Sequence, residues 1–370
     1  MTGFSSGIGR LASAAALLIG TAMPLAAEAS SLEAQFDTVL GTTIRAQQVP
    51  ASSAPAISPK SRVAQPAPVT QFDAVRAQIA PQIAPSMGAD ALTVQLASVA
   101  NNSQGRIGVA ALDLDTGRSV SVLGDQPFPM ASTSKIAIVA TFLAGVDKGR
   151  WSLSDRYPIM VPVPSAKFSS KIAPVRAGPA MTARELIERT ITRSDNHATD
   201  ALLAVVGGPA VVTRWVHQNT GLTEFRLDRD IATLVRDDGA VNPALTVDRR
   251  DSITPNGMVR LLAGLYQGQW LSASSRDVLL GAMGRCVTGR NRMKALLPDG
   301  AAIGHKTGTL FNTASDVGFI ETADGRKIAV AFYVTGQGGK PGRESRIALI
   351  ARTIYDGYGS QGARQAALRR

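Results

Sequence analysis

The order of strand-like and helix-like segments constrains the fold of this chain more than any other feature of its sequence. The stretch GRIGVAALDLDTGRSVSVLG (105–124) alternates apolar and polar residues around Asp115-Thr116-Gly117, which is typical of a β-hairpin. Strand patterns return near His305 and in DVGFIET and RKIAVAFYVTG. Helical patterns occupy the interval, at 132–147, 182–192, 196–206 and 256–266, and a last one covers 343–355. This order predicts an antiparallel sheet built from both ends of the chain, with a helical subdomain inserted between them.

The first 84 residues read as export and linker sequence. Arg10 precedes an apolar, alanine-rich stretch that closes with Ala27-Glu28-Ala29, a small-x-small cleavage site, so residues 1–29 are predicted to be a signal peptide. Residues 30–84 form an extension with a Pro/Ala/Ser-rich linker, and 85–370 form the folded domain. We therefore expect a periplasmic protein, with secretion as the alternative, and no stable membrane insertion.

Composition excludes several other classes of protein. The chain has one cysteine, so we expect an apolar core rather than disulfides to hold it together. That cysteine, Cys286 in MGRCVTG, is interpreted as a buried small residue and not as a nucleophile. The three histidines lack paired ligand spacing, so no metal and no other cofactor is expected. The net charge of +11 is spread over many arginines with few aromatic neighbours, which favours a basic solvated surface over a nucleic-acid-binding one.

The segment MASTSKIAIV (130–139) places a serine three residues before a lysine at the start of an apolar run. On a helix, Ser132 and Lys135 share one face and lie within reach of each other. A serine hydroxyl becomes a strong nucleophile when a neighbouring base takes its proton, and an amine of lowered pKa can be that base. This spacing also occurs by chance in unrelated chains, so the pair needs support from other motifs.

Two further motifs follow in order. Ser194-Asp195-Asn196 lies between two predicted helices, and Lys306-Thr307-Gly308-Thr309 lies on a predicted strand. S-x-x-K, S-D-N and K-T-G in this order form the signature of penicillin-binding proteins and class A β-lactamases. The chain from about residue 85 onward therefore resembles the class A β-lactamases of the serine penicillin-recognising superfamily.

The resemblance implies a fold and a set of catalytic roles. It implies an α/β sandwich with an all-helical subdomain and an active site in the cleft between them. Ser132 would open the β-lactam amide and become acylated, and Lys135 would take its proton, directly or through water. Ser194 would pass a proton to the leaving nitrogen.

The resemblance also implies residues that bind the substrate. Asn196 would hold the side-chain amide of the substrate together with Lys135. Lys306 and Thr307 would bind its carboxylate, with Thr309 beside them. The backbone N–H groups of Ser132 and Thr309 would form the oxyanion hole, where each preorganised donor is worth roughly 3 kcal/mol.

One departure from the family concerns the loop FRLDRDIATLVRDDGAVNPALTVDRRDSITP (225–255). The family carries a water-activating glutamate after R-L-D-R, whereas this chain has Ile231 at that position. The interval from Arg229 to Asp251 is longer than is usual in the family, although these two residues can still form the ion pair that closes the loop. The candidates for a replacement base are Asp230, Asp237 and Asp238.

This departure leaves three hypotheses open. The first is a serine β-lactamase, the favoured one, in which deacylation is slow unless another carboxylate activates the water. The second is a penicillin-binding peptidase that cleaves D-Ala-D-Ala in peptidoglycan stem peptides. The third is a penicillin-binding sensor without turnover, which the intact set of Ser132, Lys135, Ser194, Asn196 and Lys306 argues against. In each case we expect a monomer whose partner is a β-lactam or a stem peptide.

Overall fold

The computed structural model describes residues 91–101 and 104–368. The predicted signal peptide and the extension with its linker lie outside these residues, and the first described helix begins at Ala91. The helices are α1 (Ala91–Asn101), α2 (Lys135–Asp147), α3 (Ala183–Thr192), α4 (Asn196–Val206), α5 (Pro209–Thr220), α6 (Ile231–Arg236), α7 (Pro255–Tyr266), α8 (Ala273–Gly284) and α9 (Lys340–Leu368). The strands are β1 (Ile107–Asp113), β2 (Ser119–Val122), β3 (Phe128–Pro129), β4 (Arg156–Pro162), β5 (Val175–Thr182), β6 (Ser252–Ile253), β7 (Ala302–Leu310), β8 (Thr313–Glu321) and β9 (Lys327–Thr335).

The main sheet joins the two ends of the domain. Its five strands lie in the order β2-β1-β9-β8-β7, and every neighbouring pair is antiparallel. The early hairpin is attached through β1, where Ile107 pairs with Val334 of β9. The fold predicted from the segment order, an antiparallel sheet flanked by helices, is therefore confirmed.

Helices cover the sheet. Almost every residue of β8 and β9 is buried, which is the pattern of strands packed on both faces rather than one. The terminal helices α1 and α9 pack against each other and on the sheet, while α7 packs on β1, β8 and β9. In the part of the chain that the structure describes, no helix is both long enough and apolar enough to cross a membrane.

The centre of the helical part is α2, which carries the lysine of the S-x-x-K motif. All its residues from Lys135 to Gly145 are buried, because α3, α4, α5 and α8 pack around it. Its C-terminal end is fixed by Trp151, whose ring stacks on Phe142 with centroids 5.2 Å apart and whose Nε1 donates to the Phe142 carbonyl at 2.7 Å. Gly145 makes this packing fit, since a Cβ there would lie 2.1 Å from the Trp151 ring.

Several elements differ from the sequence-based expectation. Helices α5 and α8 and the β4–β5 hairpin were not predicted, and α9 begins earlier and extends further than 343–355. The α5 sequence, PAVVTRWVHQNT, is rich in β-branched and aromatic residues of modest helix propensity, and its tertiary contacts decide its conformation. Helix α3 opens with a capping box, in which Thr182 and Glu185 each bond the backbone N–H of the other.

We predict that Gly145→Ala destabilises the domain. The added methyl group must displace the Trp151 ring, and overpacking of this kind lowers the free energy of unfolding by about 1–3 kcal/mol. The matched control is Gly284→Ala at the end of α8, where an added Cβ meets no atom within 4 Å. Denaturant unfolding of both variants checks this, and equal stability of the two would contradict it.

Candidate active site

The nucleophile candidate lies on a short turn that leads into α2. Residues Ala131–Ser134 form a 3₁₀ turn, and α2 follows at Lys135. Ser134 Oγ donates to the Ala131 carbonyl at 2.9 Å and Thr133 Oγ1 donates to the Met130 carbonyl at 2.7 Å, which ties the turn down. Ser132 is half-buried, whereas its three C-terminal neighbours are buried. The predicted placement of Ser132 at the start of a helical segment therefore holds, although that first turn is 3₁₀.

The backbone of the turn is strained at one residue. Ala131 has φ of +48°, in a region that residues with a side chain seldom occupy. Strand β7 passes directly against this turn at Gly308. The close approach requires a glycine, because a Cβ on Gly308 would lie 2.8 Å from the Met130 carbonyl oxygen. This close approach sets the backbone of the K-T-G segment beside the backbone around Ser132.

Lys135 connects the turn to the S-D-N motif. Its Nζ donates to the Ser194 carbonyl at 2.6 Å, to Asn196 Oδ1 at 2.6 Å and to Ser194 Oγ at 3.1 Å. Asp195 holds the motif in place, since it caps α4 by accepting from Ala198 N–H and also pairs with Arg189. Ser194 itself has φ of +59°, which turns the chain between α3 and α4. These contacts give Asp195 a structural role.

Lys306 reaches the same hydroxyl from the sheet. Its Nζ donates to Ser194 Oγ at 2.9 Å and to the Thr307 carbonyl at 2.7 Å, and its side chain is fully buried. Ser194 Oγ therefore lies between the Nζ atoms of Lys135 and Lys306. A hydroxyl group that is hydrogen-bonded to two amino groups can pass a proton between its neighbours, which is the property that a proton relay needs.

The threonines of the K-T-G-T segment are held by residues that the motifs do not identify. Thr307 Oγ1 hydrogen-bonds Thr288 Oγ1 at 2.6 Å. Arg292, which is 1% exposed, donates to Thr309 Oγ1 at 2.7 Å and to the Gly308 carbonyl at 3.0 Å. Sequence reasoning missed Arg292, because nothing in GRNRMK distinguishes it from the other scattered arginines.

The long loop is closed by the expected ion pair. Arg229 Nε lies 2.6 Å from Asp251 Oδ2, and Asp251 Oδ1 accepts from the backbone N–H groups of Asp228 and Arg229. A second anchor was not predicted. Both oxygens of Asp200 on α4 accept backbone N–H groups at 2.8 Å, one from Ile231 and one from Ala232. Burial raises the pKa of Asp200 to about 7, and the charge of Lys135 opposes the rise.

The three candidate replacement bases all have structural contacts. Asp230 caps α6 by accepting from Thr233 N–H at 2.7 Å. Asp237 pairs with Arg236 and accepts from Phe168 N–H, and its pKa falls to about 2, chiefly through the hydrogen bond from Arg236. Asp238 accepts from Phe311 N–H at 2.8 Å, and burial raises its pKa. These hydrogen bonds hold each aspartate to the loop or to the segments beside it.

The residues that the structure describes contain no group of three or more His, Cys, Asp or Glu side chains suited to hold a metal ion.

Comparisons with known proteins agree with this geometry. Residues 91–358 match the family model described as the β-lactamase enzyme family. The β-lactamase CTX-M-25 of Escherichia coli is 32% identical over 269 residues, which cover 71% of this chain and 88% of the relative. The carbapenem-hydrolyzing β-lactamase KPC of Klebsiella oxytoca is 32% identical over 264 residues, which cover 70% and 86%.

Solved structures give the same result. An ancestral class A β-lactamase (GNCA) superposes with a TM-score of 0.62 at 36% identity, covering 71% of this chain and 98% of that structure. A β-lactamase from Chitinophaga pinensis superposes with a TM-score of 0.63 at 26% identity, covering 73% and 100%. The chain therefore belongs to the class A β-lactamase family of serine hydrolases, within the serine penicillin-recognising superfamily.

Proposed function

We propose that this protein is a periplasmic serine β-lactamase that acylates at Ser132 and deacylates slowly. The observation that carries the proposal is the pair of hydrogen bonds that Lys135 and Lys306 donate to Ser194 Oγ. These contacts connect the three motifs in one site next to the turn that holds Ser132. The β-lactamases among the relatives support the substrate class.

Acylation begins at the strained turn. Ser132 Oγ attacks the β-lactam carbonyl, and its proton passes to Lys135, directly or through water. The backbone N–H groups of Ser132 and Thr309 stabilise the oxyanion, and the close packing at Gly308 holds their two segments side by side. Ser194 then delivers a proton to the leaving nitrogen, which opens the ring.

Substrate binding relies on the buried cation of β7. Lys306 and Thr307 bind the substrate carboxylate, because an ammonium group beside a hydroxyl matches an anion. Thr309 adds a hydroxyl group, which is oriented by the hydrogen bond that Arg292 donates to it. Asn196 Oδ1 accepts from Lys135 at 2.6 Å, which leaves its amide N–H₂ for the side-chain amide carbonyl of the substrate.

Deacylation is the slow step of the proposed reaction. Ile231 is apolar and 2% exposed, and it offers no group that could activate water. Asp230, Asp237 and Asp238 each accept a hydrogen bond from a backbone N–H group, which holds each carboxylate in a structural contact. Loss of a general base costs about 10² to 10⁴ in rate, so hydrolysis of the acyl-enzyme becomes rate-limiting.

The absence of the family glutamate also supports a second candidate function. A peptidase that cleaves D-Ala-D-Ala in stem peptides acylates with the same serine and lysine, and it is inhibited by penicillin because its acyl-enzyme is long-lived. Ile231 in place of the family glutamate is the observation that favours it. Release of D-alanine from a synthetic stem peptide, at a rate above that of penicillin hydrolysis, would select this function.

We predict that one penicillin molecule attaches covalently to Ser132. Intact-mass measurement after incubation with penicillin is expected to show a mass increase equal to that of the drug, and Ser132→Ala is expected to abolish it because the nucleophilic oxygen is gone. The matched control is Ser274→Ala on the exposed surface of α8, which keeps the adduct. Labelling of Ser132→Ala at the wild-type level would exclude this serine as the nucleophile.

We further predict a burst in the hydrolysis of a chromogenic cephalosporin. One equivalent of product forms quickly and a slow phase follows, because acylation is intact and water activation is not. Stopped-flow absorbance separates the two phases. Asp230→Asn, Asp237→Asn and Asp238→Asn are each expected to change the slow phase less than threefold (on the order of 0.6 kcal/mol). Steady hydrolysis that one of these substitutions abolishes would contradict this and would identify that aspartate as the base.

A further inference from the structure

A segment of the long loop connects two parts of the structure that lie far apart in sequence. After α6 ends at Arg236, residues 237–243 contact both the connection between β4 and β5 and the turn between β7 and β8. Strand β4 packs on α4, the helix that begins at the S-D-N motif, whereas β7 carries the K-T-G motif. Residues 237–243, here termed the arch, therefore join the helical part of the domain to the sheet beyond the end of β7.

Asp238 makes this connection on both sides. Its two carboxylate oxygens accept from Phe311 N–H at 2.8 and 3.1 Å, directly after the last residue of β7. Its backbone carbonyl accepts from Lys167 Nζ in the connection between β4 and β5. Gly239 follows with φ of +86° and turns the chain. A Cβ on Gly239 would lie 3.7 Å from Lys167 Nζ and 3.8 Å from the Phe311 ring, so the loop backbone passes between these two side chains.

Neighbouring contacts hold the arch at the same two places. On the side of β4 and β5, Asp237 accepts from Phe168 N–H at 3.0 Å. On the side of β7 and β8, Asn312 Nδ2 donates to Asn242 Oδ1 at 2.8 Å. A segment that is hydrogen-bonded on both sides keeps its position, whereas a loop held on one side alone could swing away when a substrate enters. The arch is therefore a fixed boundary at the end of β7.

The arch lies in the direction in which the acyl side chain of a penicillin extends. In a penicillin, the carboxylate and the acylamino side chain lie on opposite sides of the reacting carbonyl group. The proposed binding mode puts the carboxylate at Lys306 and the carbonyl oxygen at the Thr309 N–H, so the side chain extends further along β7. Phe311 follows Thr309 by two residues, which is roughly 7 Å at about 3.3 Å per residue. The arch therefore borders the space that the side chain needs.

We propose that the bridge at Asp238 makes the protein selective for β-lactams whose side chains are compact or flexible. The inference rests on the proposed function, because it concerns the fit of a β-lactam in that site. A benzyl side chain has a methylene group next to the amide and can turn away from the arch. A wide aromatic ring attached directly to the amide carbonyl lacks this freedom, so it meets Asp238 and Phe311. Asp238 is thus a specificity-determining residue and takes no part in bond making or breaking.

The selectivity is tested with benzylpenicillin and nafcillin, which share one ring nucleus and one carboxylate and differ in the side chain. Time-resolved intact mass gives the second-order rate of acylation of the full chain, which does not depend on the rate of deacylation. We expect the wild type to react about tenfold more slowly with nafcillin than with benzylpenicillin. Asp238→Ala releases Phe311 N–H from the arch, and we expect it to remove most of this difference.

A second variant and a control accompany this measurement. Lys167→Ala breaks the bridge from the other side, so it is expected to reduce the difference too, and it decides the question if Asp238→Ala does not fold. The matched control is Asp248→Ala in the same loop, where the carboxylate pairs with Arg250 at 2.8 Å, and it is expected to keep the wild-type ratio. Equal wild-type rates with both penicillins, or a ratio that neither bridge variant changes, would overturn the proposal.

Hydrogen exchange separates this inference from the proposed function. The Phe311 amide, followed by NMR, is expected to exchange about tenfold more slowly in the wild type than in Asp238→Ala, because the Asp238 carboxylate accepts its N–H. Equal exchange rates in the two proteins would overturn the bridge. If neither penicillin acylates the wild type, the proposed function fails, and the exchange rate of the Phe311 amide still decides whether Asp238 holds the end of β7.

Discussion

The site depends on one hydroxyl oxygen that two buried lysines share. Ser194 Oγ accepts from Lys135 at 3.1 Å and from Lys306 at 2.9 Å, and both lysine side chains are removed from solvent. Burying an ammonium group is costly unless its donors are satisfied. The carbonyls of Ser194 and Thr307 and the amide oxygen of Asn196 meet this need. Each lysine is therefore satisfied only where its own segment meets the S-D-N segment, which makes the site and the fold mutually dependent.

The sheet topology brings these segments together. Lys306 lies on edge strand β7, and β7 packs against the 3₁₀ turn of residues Ala131–Ser134, which comes long before it in the chain. That contact exists because β9 pairs with β1 on one side and with β8 on the other. Gly308 then allows the strand to touch the turn. A sheet built from both ends of the chain is thus the means by which residues distant in sequence meet in one cleft.

Local sequence patterns predicted much of this arrangement. The early hairpin, the helix that starts at Asn196 and the strand that carries Lys306 follow from short-range periodicity and turn chemistry. The missed features depend on distant partners. Arg292 acts through Thr309 and Glu344, and Asp200 acts through the backbone of Ile231. No window of sequence contains such pairs, so only the folded chain reveals them.

We proposed that Lys306 acts on the substrate through its contact with Ser194, and a double-mutant cycle tests this claim most directly. The second-order rate of acylation by penicillin would be measured for Ser194→Ala, for Lys306→Met and for the double variant. Two independent substitutions would lower the acylation rate of the double variant by the product of their separate effects. If the two residues act through their shared contact, the double variant is expected to acylate about tenfold faster than that product predicts, which is a coupling of about 1.4 kcal/mol. Strictly additive effects would show that the two residues act independently and would contradict the account.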